Sequence, residues 1–188
     1  MRKPLLIIKT GDTIPEIKAV HGDYDRWFAQ CVDDTLVTVV EVHKDEAHLP
    51  KPSDFAGVII TGSPHSVTEP SDWTHRLSDW TLKAHEESLP CLGVCYGHQI
   101  LGHAFRGQVI NNPVKYEIGT VEVTLTEAGL TDPLLGDLAN NQSTLAFNAV
   151  HGDVVSKLPA QALCLAGNDA TPNQAFRIGT STWGVQFH

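Results

Sequence analysis

The 188-residue sequence has few basic side chains and no long apolar stretch, and these two deficits exclude several classes of protein. It contains 13 Lys and Arg against 22 Asp and Glu, which gives a formal net charge of −9 at pH 7. A general nucleic-acid surface needs a basic face, so we expect no nucleic-acid binding. No apolar run approaches the about 20 residues of a membrane span, so we expect no membrane segment. The short apolar stretch after the basic start, residues 5–8, is better explained as a strand than as a signal sequence.

Cysteine is also scarce, and its spacing excludes the common metal and redox motifs. The four cysteines are Cys31, Cys91, Cys95 and Cys164, and no two of them form a C-x-x-C pair. The sequence therefore indicates neither a zinc ribbon nor a thioredoxin-type site, and its low cysteine density argues against a disulfide scaffold. We expect a reducing, cytoplasmic setting in which a cysteine can act as a free thiol.

The first half of the sequence alternates strand-like and helix-like segments. The predicted strands are Leu5–Lys9, Leu36–Val42, Gly57–Thr61 and Cys91–Val94, and the predicted helices are Asp23–Val32, Trp73–Ser88 and Gly97–Phe105. This alternation is typical of a parallel sheet covered by helices on both faces, a three-layer α/β/α sandwich. In such sheets the functional side chains collect at the carboxyl ends of the strands.

The second half is rich in short strands separated by turns. The predicted strands are Gln108–Ile110, Gly119–Thr126, Ser143–Val150, Ala162–Ala166, Asn173–Ile178 and Thr182–Phe187, with one short helix at Asp132–Leu138. We expect these strands to extend one edge of the sheet in antiparallel fashion, which makes a mixed, mainly parallel sheet. No linker or repeat divides the chain, so residues 1–188 are predicted to form a single domain.

Cys95 lies where a predicted strand meets a predicted helix, between Gly93 and Gly97. Strand, sharp turn with a nucleophile, then helix is the nucleophile-elbow pattern, here G-x-C-x-G. Side chains two residues either side of such a turn would collide with the crossing elements, which explains the glycines. The amides at the helix start are predicted to favour the thiolate form of Cys95. A buried core cysteine is the alternative interpretation.

A thiol nucleophile needs a base, and the sequence has ten histidines. His188 directly follows an apolar strand, and His151 follows another. His98 is three residues past Cys95 on the predicted helix and is interpreted as a packing residue. A metal site built from His98, His103, His151 and His188 is the other hypothesis, but no pair has the H-E-x-x-H spacing, so we predict neither a metal nor a cofactor.

Four segments of the chain together resemble the class I, triad-type glutamine amidotransferases: residues 61–67, 93–99, 150–153 and 184–188. They occur in that family's order and spacing. Within the family, the sequence is most similar to stand-alone proteins that resemble the amidotransferase domain of GMP synthase. The resemblance implies a flavodoxin-like fold.

The resemblance also implies roles for particular residues. Cys95 would attack the side-chain amide of L-glutamine, and His188 would activate it and protonate the departing ammonia. The backbone amides of Ser63 and Tyr96 would form the oxyanion hole. A γ-glutamyl thioester would form and then be hydrolysed. The residues implied in holding the substrate are Gly62, Gln99, Val150, Gly152 and Asp153.

The sequence departs from the family pattern in two places. The family's Gly-Gly-Pro turn is Gly62-Ser63-Pro64 here. The family's histidine is followed by Pro-Glu, whose glutamate orients the imidazole, whereas this sequence ends at His188. The expectation is a single amidotransferase domain truncated just after the catalytic histidine.

Two further hypotheses remain beside glutamine hydrolysis. One is a γ-glutamyl hydrolase that acts on a γ-glutamyl amide or peptide. The other is a non-catalytic regulatory module of the same fold. Because the sequence shows no synthetase domain, ammonia would pass to an unknown acceptor, and an ammonia-accepting synthetase or other protein is the expected partner.

Overall fold

A computed structural model describes residues 2–32, 36–44, 47–114, 116–140 and 142–188. The strands are β1 (Leu5–Lys9), β2 (Val37–Glu41), β3 (Gly57–Ile60), β4 (Cys91–Val94), β5 (Gln108–Asn111), β6 (Glu117–Leu125), β7 (Thr144–His151), β8 (Asp153–Lys157), β9 (Ala162–Gly167), β10 (Ala175–Ile178) and β11 (Thr182–Val185). The helices are α1 (Pro15–His21), α2 (Tyr24–Gln30), α3 (Asp72–Glu86), α4 (Tyr96–Ala104), α5 (Glu127–Leu130) and α6 (Gly136–Ala139), with a 3₁₀ turn at Pro52–Asp54.

Nine of the strands form one twisted sheet in the order β2-β1-β3-β4-β11-β10-β9-β6-β7. The five strands from β2 to β11 are parallel, and the remainder run antiparallel to their neighbours. The predicted mixed sheet within an α/β fold is therefore confirmed. Strand β4 lies in the middle of the sheet, between β3 and β11, and its carboxyl end is the start of the Cys95 turn.

Two apolar clusters cover the two faces of the sheet, as a three-layer fold requires. Helices α3 and α4 pack on one face, and α3 contributes Leu77, Trp80 and Ala84 from one stripe. A capping box between Ser71 and Thr74 fixes the start of α3, close to the predicted boundary. Helices α5 and α6 lie on the opposite face, over Val123 and Leu165.

Helix α1 was not predicted, because its side chains lie outside the apolar core and give no helical stripe. Neither α1 nor α2 contains a fully buried residue. Instead, the ammonium of Lys9 at the end of β1 lies 2.8 Å from a carboxylate oxygen of Asp23, the N-cap residue of α2. Charged contacts thus attach this helix pair to the sheet.

Three details of the second half differ from the prediction. Asp132–Leu138 is not one helix: the Asp132 carboxylate accepts from Leu134 N at 2.8 Å and closes a turn, and α6 begins only at Gly136. Strand β8 was missed, and it pairs with β5 in a separate two-stranded sheet. Strand β11 is parallel to β4 rather than part of an antiparallel edge.

Candidate active site

Cys95 occupies the predicted strand-to-helix turn and has a strained backbone. Its φ and ψ are 54° and −103°, a conformation that L-residues rarely adopt, and it is the N-cap residue of α4. Its N–H donates to Val185 O at 2.8 Å, which ties the turn to β11. A Cβ at Gly93 would collide with the Gly97 carbonyl, and one at Gly97 would collide with Ile60 O. The two glycines are therefore required for the close packing that the sequence predicted.

The protonation state of Cys95 differs from the prediction. Its side chain is only 7 % exposed, and burial raises the pKa of the thiol to about 11, although the Tyr96 backbone N–H opposes this shift. The prediction of a stabilised thiolate is therefore wrong for this structure. The helix-start amides act on the sulfur, but the loss of hydration is the larger effect.

The turn after β3 brings Gly62 and Ser63 beside Cys95. A Cβ built on Gly62 would lie 3.5 Å from the Cys95 Cβ, so the two backbones are close neighbours. Ser63 Oγ donates to Thr10 O at 2.7 Å and so holds the turn against the end of β1. Gly97 N donates to Thr61 O at 3.2 Å and fixes the helix start to the same turn.

Cys95 lines a cleft of about 620 Å³ whose other residues are mostly polar in type, and we call it the polar cleft. Of the predicted substrate-binding residues, Gln99, Val150, Gly152 and Asp153 line it, together with Ser63, whereas Gly62 lines a neighbouring pocket. The Cys95 thiol lies 3.9 Å from Val150 O. The structure therefore brings these predicted site residues together around one opening.

Hydrogen bonds lock the floor of the cleft. Gln99 Nε2 donates to Asp153 O at 3.0 Å and to Gln186 Oε1 at 3.1 Å, which joins α4 to the β7–β8 turn and to the end of β11. The Asp153 carboxylate accepts from Asn111 Nδ2 at 2.6 Å and from the Ser66 hydroxyl. Gln99 therefore has a structural role in addition to its place in the cleft wall.

Several residues of the cleft were not assigned from the sequence. They are Tyr24, Pro64, His65, Ser66, Glu69, Asn111, Asn112, Tyr116 and His151. His65 and Ser66 stand in the small-residue turn after β3, so their positions beyond a strand end were a usable signal. The others come from separate parts of the chain, and only the fold places them together.

A buried Glu117–His151 pair lies behind the cleft. His151 Nε2 is 3.1 Å from Glu117 Oε2, and His151 Nδ1 is 3.1 Å from Asp153 O. The Glu117 carboxylate also accepts from Asn168, Thr171 and Gln174. A neutral imidazole donates through only one ring nitrogen, so one of these two contacts is a hydrogen bond, and together they fix the orientation of the His151 ring.

His188 lies on the other side of Cys95. Both residues line a second pocket, of about 570 Å³, whose wall is mostly apolar. The His188 backbone N–H donates to Asn148 O at 2.7 Å. Burial, with a smaller contribution from His151, lowers the pKa of the His188 imidazole, so it is a neutral base at neutral pH. Within the described ranges no carboxylate pairs with its ring.

The histidines considered as metal ligands do not form a metal site in the described part of the chain. His98 is fully buried, and its ring lies 4.7 Å from that of Phe176, in keeping with a packing role. The three-ligand group that the described residues do form is Asp12, Glu41 and His43. There the Lys9 ammonium lies 2.5 Å from Asp12 and 3.0 Å from Glu41 and balances their charge. None of the described helices is long and apolar enough to cross a bilayer.

Known proteins resemble this chain in sequence. A GMP synthase (glutamine-hydrolysing) of Porphyromonas gingivalis is 40 % identical over 137 residues, which cover 72 % of this chain and 25 % of that protein. The chain thus spans about a quarter of the length of the GMP synthases that it matches. The glutamine amidotransferase-like protein YfeJ of Salmonella typhimurium is 32 % identical over 174 residues, which cover 89 % of this chain and 69 % of that one.

Solved structures and a family model agree with these relatives. The crystal structure of a glutamine amidotransferase from Methylobacillus flagellatus superposes with a TM-score of 0.81 at 22 % identity, and covers all of this chain and 70 % of that one. That likeness shows a shared fold. The family model for class-I glutamine amidotransferases matches residues 22–188. On these grounds the chain belongs to the class-I glutamine amidotransferase family.

Proposed function

We propose that this protein hydrolyses the side-chain amide of L-glutamine to glutamate and ammonia, with Cys95 as the nucleophile. The observation that carries the proposal is the strained turn that presents the Cys95 sulfur between a polar cleft and His188. Membership of the amidotransferase family supports the choice of glutamine.

Substrate binding would use the polar cleft. It is lined by hydrogen-bonding groups and by the carboxylates of Glu69 and Asp153, which can attract the α-ammonium of an amino acid. The main chain at Val150 and Gly152 forms the wall beside the sulfur. A glutamine whose α-carbon lies in this cleft reaches Cys95 with its side-chain amide.

The protonation states suit general-base catalysis. At neutral pH the raised pKa keeps the proton on the Cys95 sulfur, and the lowered pKa leaves His188 neutral and able to accept it. Attack on the amide carbon would then place negative charge on the carbonyl oxygen. The backbone N–H groups of Ser63 and Tyr96 are the proposed donors to it, each typically contributing about 3 kcal/mol in the transition state.

The thioester and its hydrolysis complete the cycle. His188 gives its proton to the leaving nitrogen, ammonia departs, and water hydrolyses the γ-glutamyl thioester to restore the thiol. We further propose that a synthetase or another protein accepts the ammonia, since the relatives named GMP synthase are about four times longer than the matched region. Neither a metal nor a cofactor is part of this scheme.

A glutaminase assay tests the proposal. The native chain is expected to release glutamate from glutamine, and Cys95→Ala is expected to lower turnover by at least about 10³-fold, because it removes the nucleophile. Cys164→Ala is the matched control, since Cys164 is a free thiol of β9 that lines neither pocket at Cys95. Turnover by Cys95→Ala at the native rate would refute the proposed chemistry.

A further inference from the structure

Cys95 stands at the junction of two pockets of different character. The polar cleft and the second pocket share Tyr24, Ser63, Cys95 and Val150 in their walls. The second pocket alone contains His188. The two halves of a bound γ-glutamyl amide therefore lie in different surroundings on either side of the sulfur.

The wall of the second pocket is aromatic. Phe147 and Phe187 stack with ring centroids 3.9 Å apart and planes 11° from parallel. Trp27 and Phe28 of α2 line the same wall. The rings of Tyr24 and Trp27 pack edge to face there, with their centroids 5.4 Å apart. Among the described residues this wall contains no Lys, Arg, Asp or Glu. We name it the aromatic pocket.

The position of His188 determines which part of the substrate would enter the aromatic pocket. The nitrogen that leaves the substrate must take a proton from His188, so it has to face His188. His188 lines the aromatic pocket, and any substituent on that nitrogen must project into the same space. Ammonia fills only a small part of a pocket of about 570 Å³.

We infer that the aromatic pocket is a leaving-group subsite, and that the protein also hydrolyses γ-glutamyl amides whose nitrogen carries an apolar or aromatic group. This inference rests on the proposed function, since it uses the same nucleophile and base. Cys95 Sγ bonds to the carbonyl carbon of the γ-carboxamide, the C–N bond breaks, and the amine leaves with the proton that His188 took from the thiol. Water then cleaves the thioester, which gives glutamate and restores the thiol.

Binding to a variant that cannot turn over gives the first test. With Cys95→Ala, calorimetry compares L-glutamine, γ-L-glutamylanilide and γ-L-glutamylglycine. Burial of the phenyl ring is expected to make the anilide bind at least about tenfold more tightly than glutamine. γ-L-Glutamylglycine is expected to bind more weakly than the anilide, because the carboxylate of its glycine would lose its hydration in an apolar pocket. Equal dissociation constants for glutamine and the anilide would overturn the inference.

Substitutions in the wall of the aromatic pocket test whether the phenyl ring of the anilide binds there. Phe147→Ala and Trp27→Leu, made in the Cys95→Ala background, are expected to reduce the anilide-to-glutamine affinity ratio by about fivefold or more. Leu163→Ala is the control, since Leu163 is an exposed apolar residue of β9 outside the pocket. Measuring a ratio within each variant removes any loss of folded protein. A ratio unchanged in both wall variants would place the phenyl ring elsewhere.

Turnover separates this inference from the proposed function. The native chain is expected to release aniline from γ-L-glutamylanilide. Hydrolysis of glutamine without hydrolysis of the anilide would overturn the leaving-group subsite and leave the glutaminase proposal standing. Hydrolysis of the anilide without hydrolysis of glutamine would support the subsite and refute glutamine as the substrate.

Discussion

Cys95 combines a strained backbone with a protonated side chain. The φ of Cys95 is 54°. On both sides of the turn, at Gly93 and Gly97, the backbone packs so closely that there is no room for a side chain. The same close packing removes water from the sulfur and raises the pKa of the thiol. The packing that positions Cys95, the proposed nucleophile, therefore also favours the protonated form of its thiol.

Thiol labelling should reveal this protection. Brief alkylation at pH 7 is expected to modify the exposed Cys31 well before Cys95, because Cys95 is 7 % exposed and its pKa is about 11. The rate at Cys95 should rise about tenfold per pH unit as pH approaches that value, because the thiolate fraction rises with pH below the pKa. Mass spectrometry of the labelled peptides measures both. Faster labelling of Cys95 than of Cys31 at pH 7 would show that the thiolate is already stabilised.

The Glu117–His151 pair should matter for substrate affinity. Glu117→Gln replaces an acceptor oxygen with an NH₂ group amid the donors Asn168, Thr171 and Gln174, and it weakens the contact that holds His151. We expect a loss of about 1–3 kcal/mol in the free energy of unfolding. We also expect KM for glutamine to rise more than kcat falls, since the Asp153 carbonyl of the cleft floor then keeps Gln99 as a fixed partner but not His151.

Glu122→Gln is the control for that variant, because Glu122 lies on the same strand and is exposed. Urea unfolding and steady-state kinetics on both variants give the comparison. If Glu117→Gln left KM unchanged and only lowered stability, the pair would have no part in positioning the substrate.

Among the elements, the α1–α2 pair is attached to the sheet by a charged cluster at Lys9 and by packing of Phe28 against the apolar core. The Lys9 side chain is 3 % exposed and its ammonium meets Asp12, Asp23 and Glu41 at 2.5–3.0 Å. Hydrogen bonds and ion pairs in this group raise the pKa of Lys9 and lower the pKa values of Asp12, Asp23 and Glu41. Since Tyr24, Trp27 and Phe28 belong to α2, this cluster also places part of the site.

Removing the buried cation should destabilise the fold. Lys9→Met is expected to lower the free energy of unfolding by about 3 kcal/mol, near the lower limit for a broken buried pair, because Lys18 still neutralises Asp23. Lys44→Met is the matched control: Lys44 also pairs with Glu41 but is exposed, so its loss should cost at most about 1 kcal/mol. Chemical denaturation of the two variants measures the difference. Equal losses would mean that burial adds nothing to this ion pair.

The carboxylates around Lys9 should also make the free energy of unfolding depend on pH in the acid range. A carboxylate whose pKa is lowered by folding stabilises the protein above its ordinary pKa near 4, and that stabilisation is lost as pH falls toward the lowered value. The unfolding free energy of the native chain should therefore fall as pH decreases below about 4. In Lys9→Met the fall should be shallower, because the carboxylates lose one of the cations that lower their pKa values, although Lys18 and Lys44 remain. Denaturation curves between neutral and acid pH test this, and parallel curves for the two proteins would contradict it.

At the scale of the whole molecule, local patterns predicted the elbow and the layers but not the contacts that join distant segments. The glycines beside Cys95 report a local packing requirement, so the turn could be found from the sequence. Glu117 and His151 face each other only through the register of β6 and β7, which no local pattern encodes. The thiolate prediction failed for a similar reason, since burial of Cys95 is set by β11 and the turn after β3 rather than by its own helix.

Orientation of His188 gives a prediction for the whole molecule. A chain with Pro-Glu directly after His188 is expected to hydrolyse glutamine faster than the 188-residue chain, because a carboxylate that holds the imidazole in one tautomer contributes as much as about 10⁴-fold in a comparable triad. The comparison is one assay on two proteins, with Pro-Gln in place of Pro-Glu as the control. Equal rates for all three would show that His188 needs no added carboxylate.

The place of β11 beside β4 has a consequence during protein synthesis. The Cys95 amide is fixed by Val185 O, and His188 follows β11 directly, yet β11 is made long after β4 and α4 have left the ribosome. Until β11 inserts between β4 and β10, the nascent chain has neither the finished turn nor the base. The turn at Cys95 is therefore completed only after β11 is in place, and under the proposed function a ribosome-bound chain that ends before β11 is expected to show no glutaminase activity.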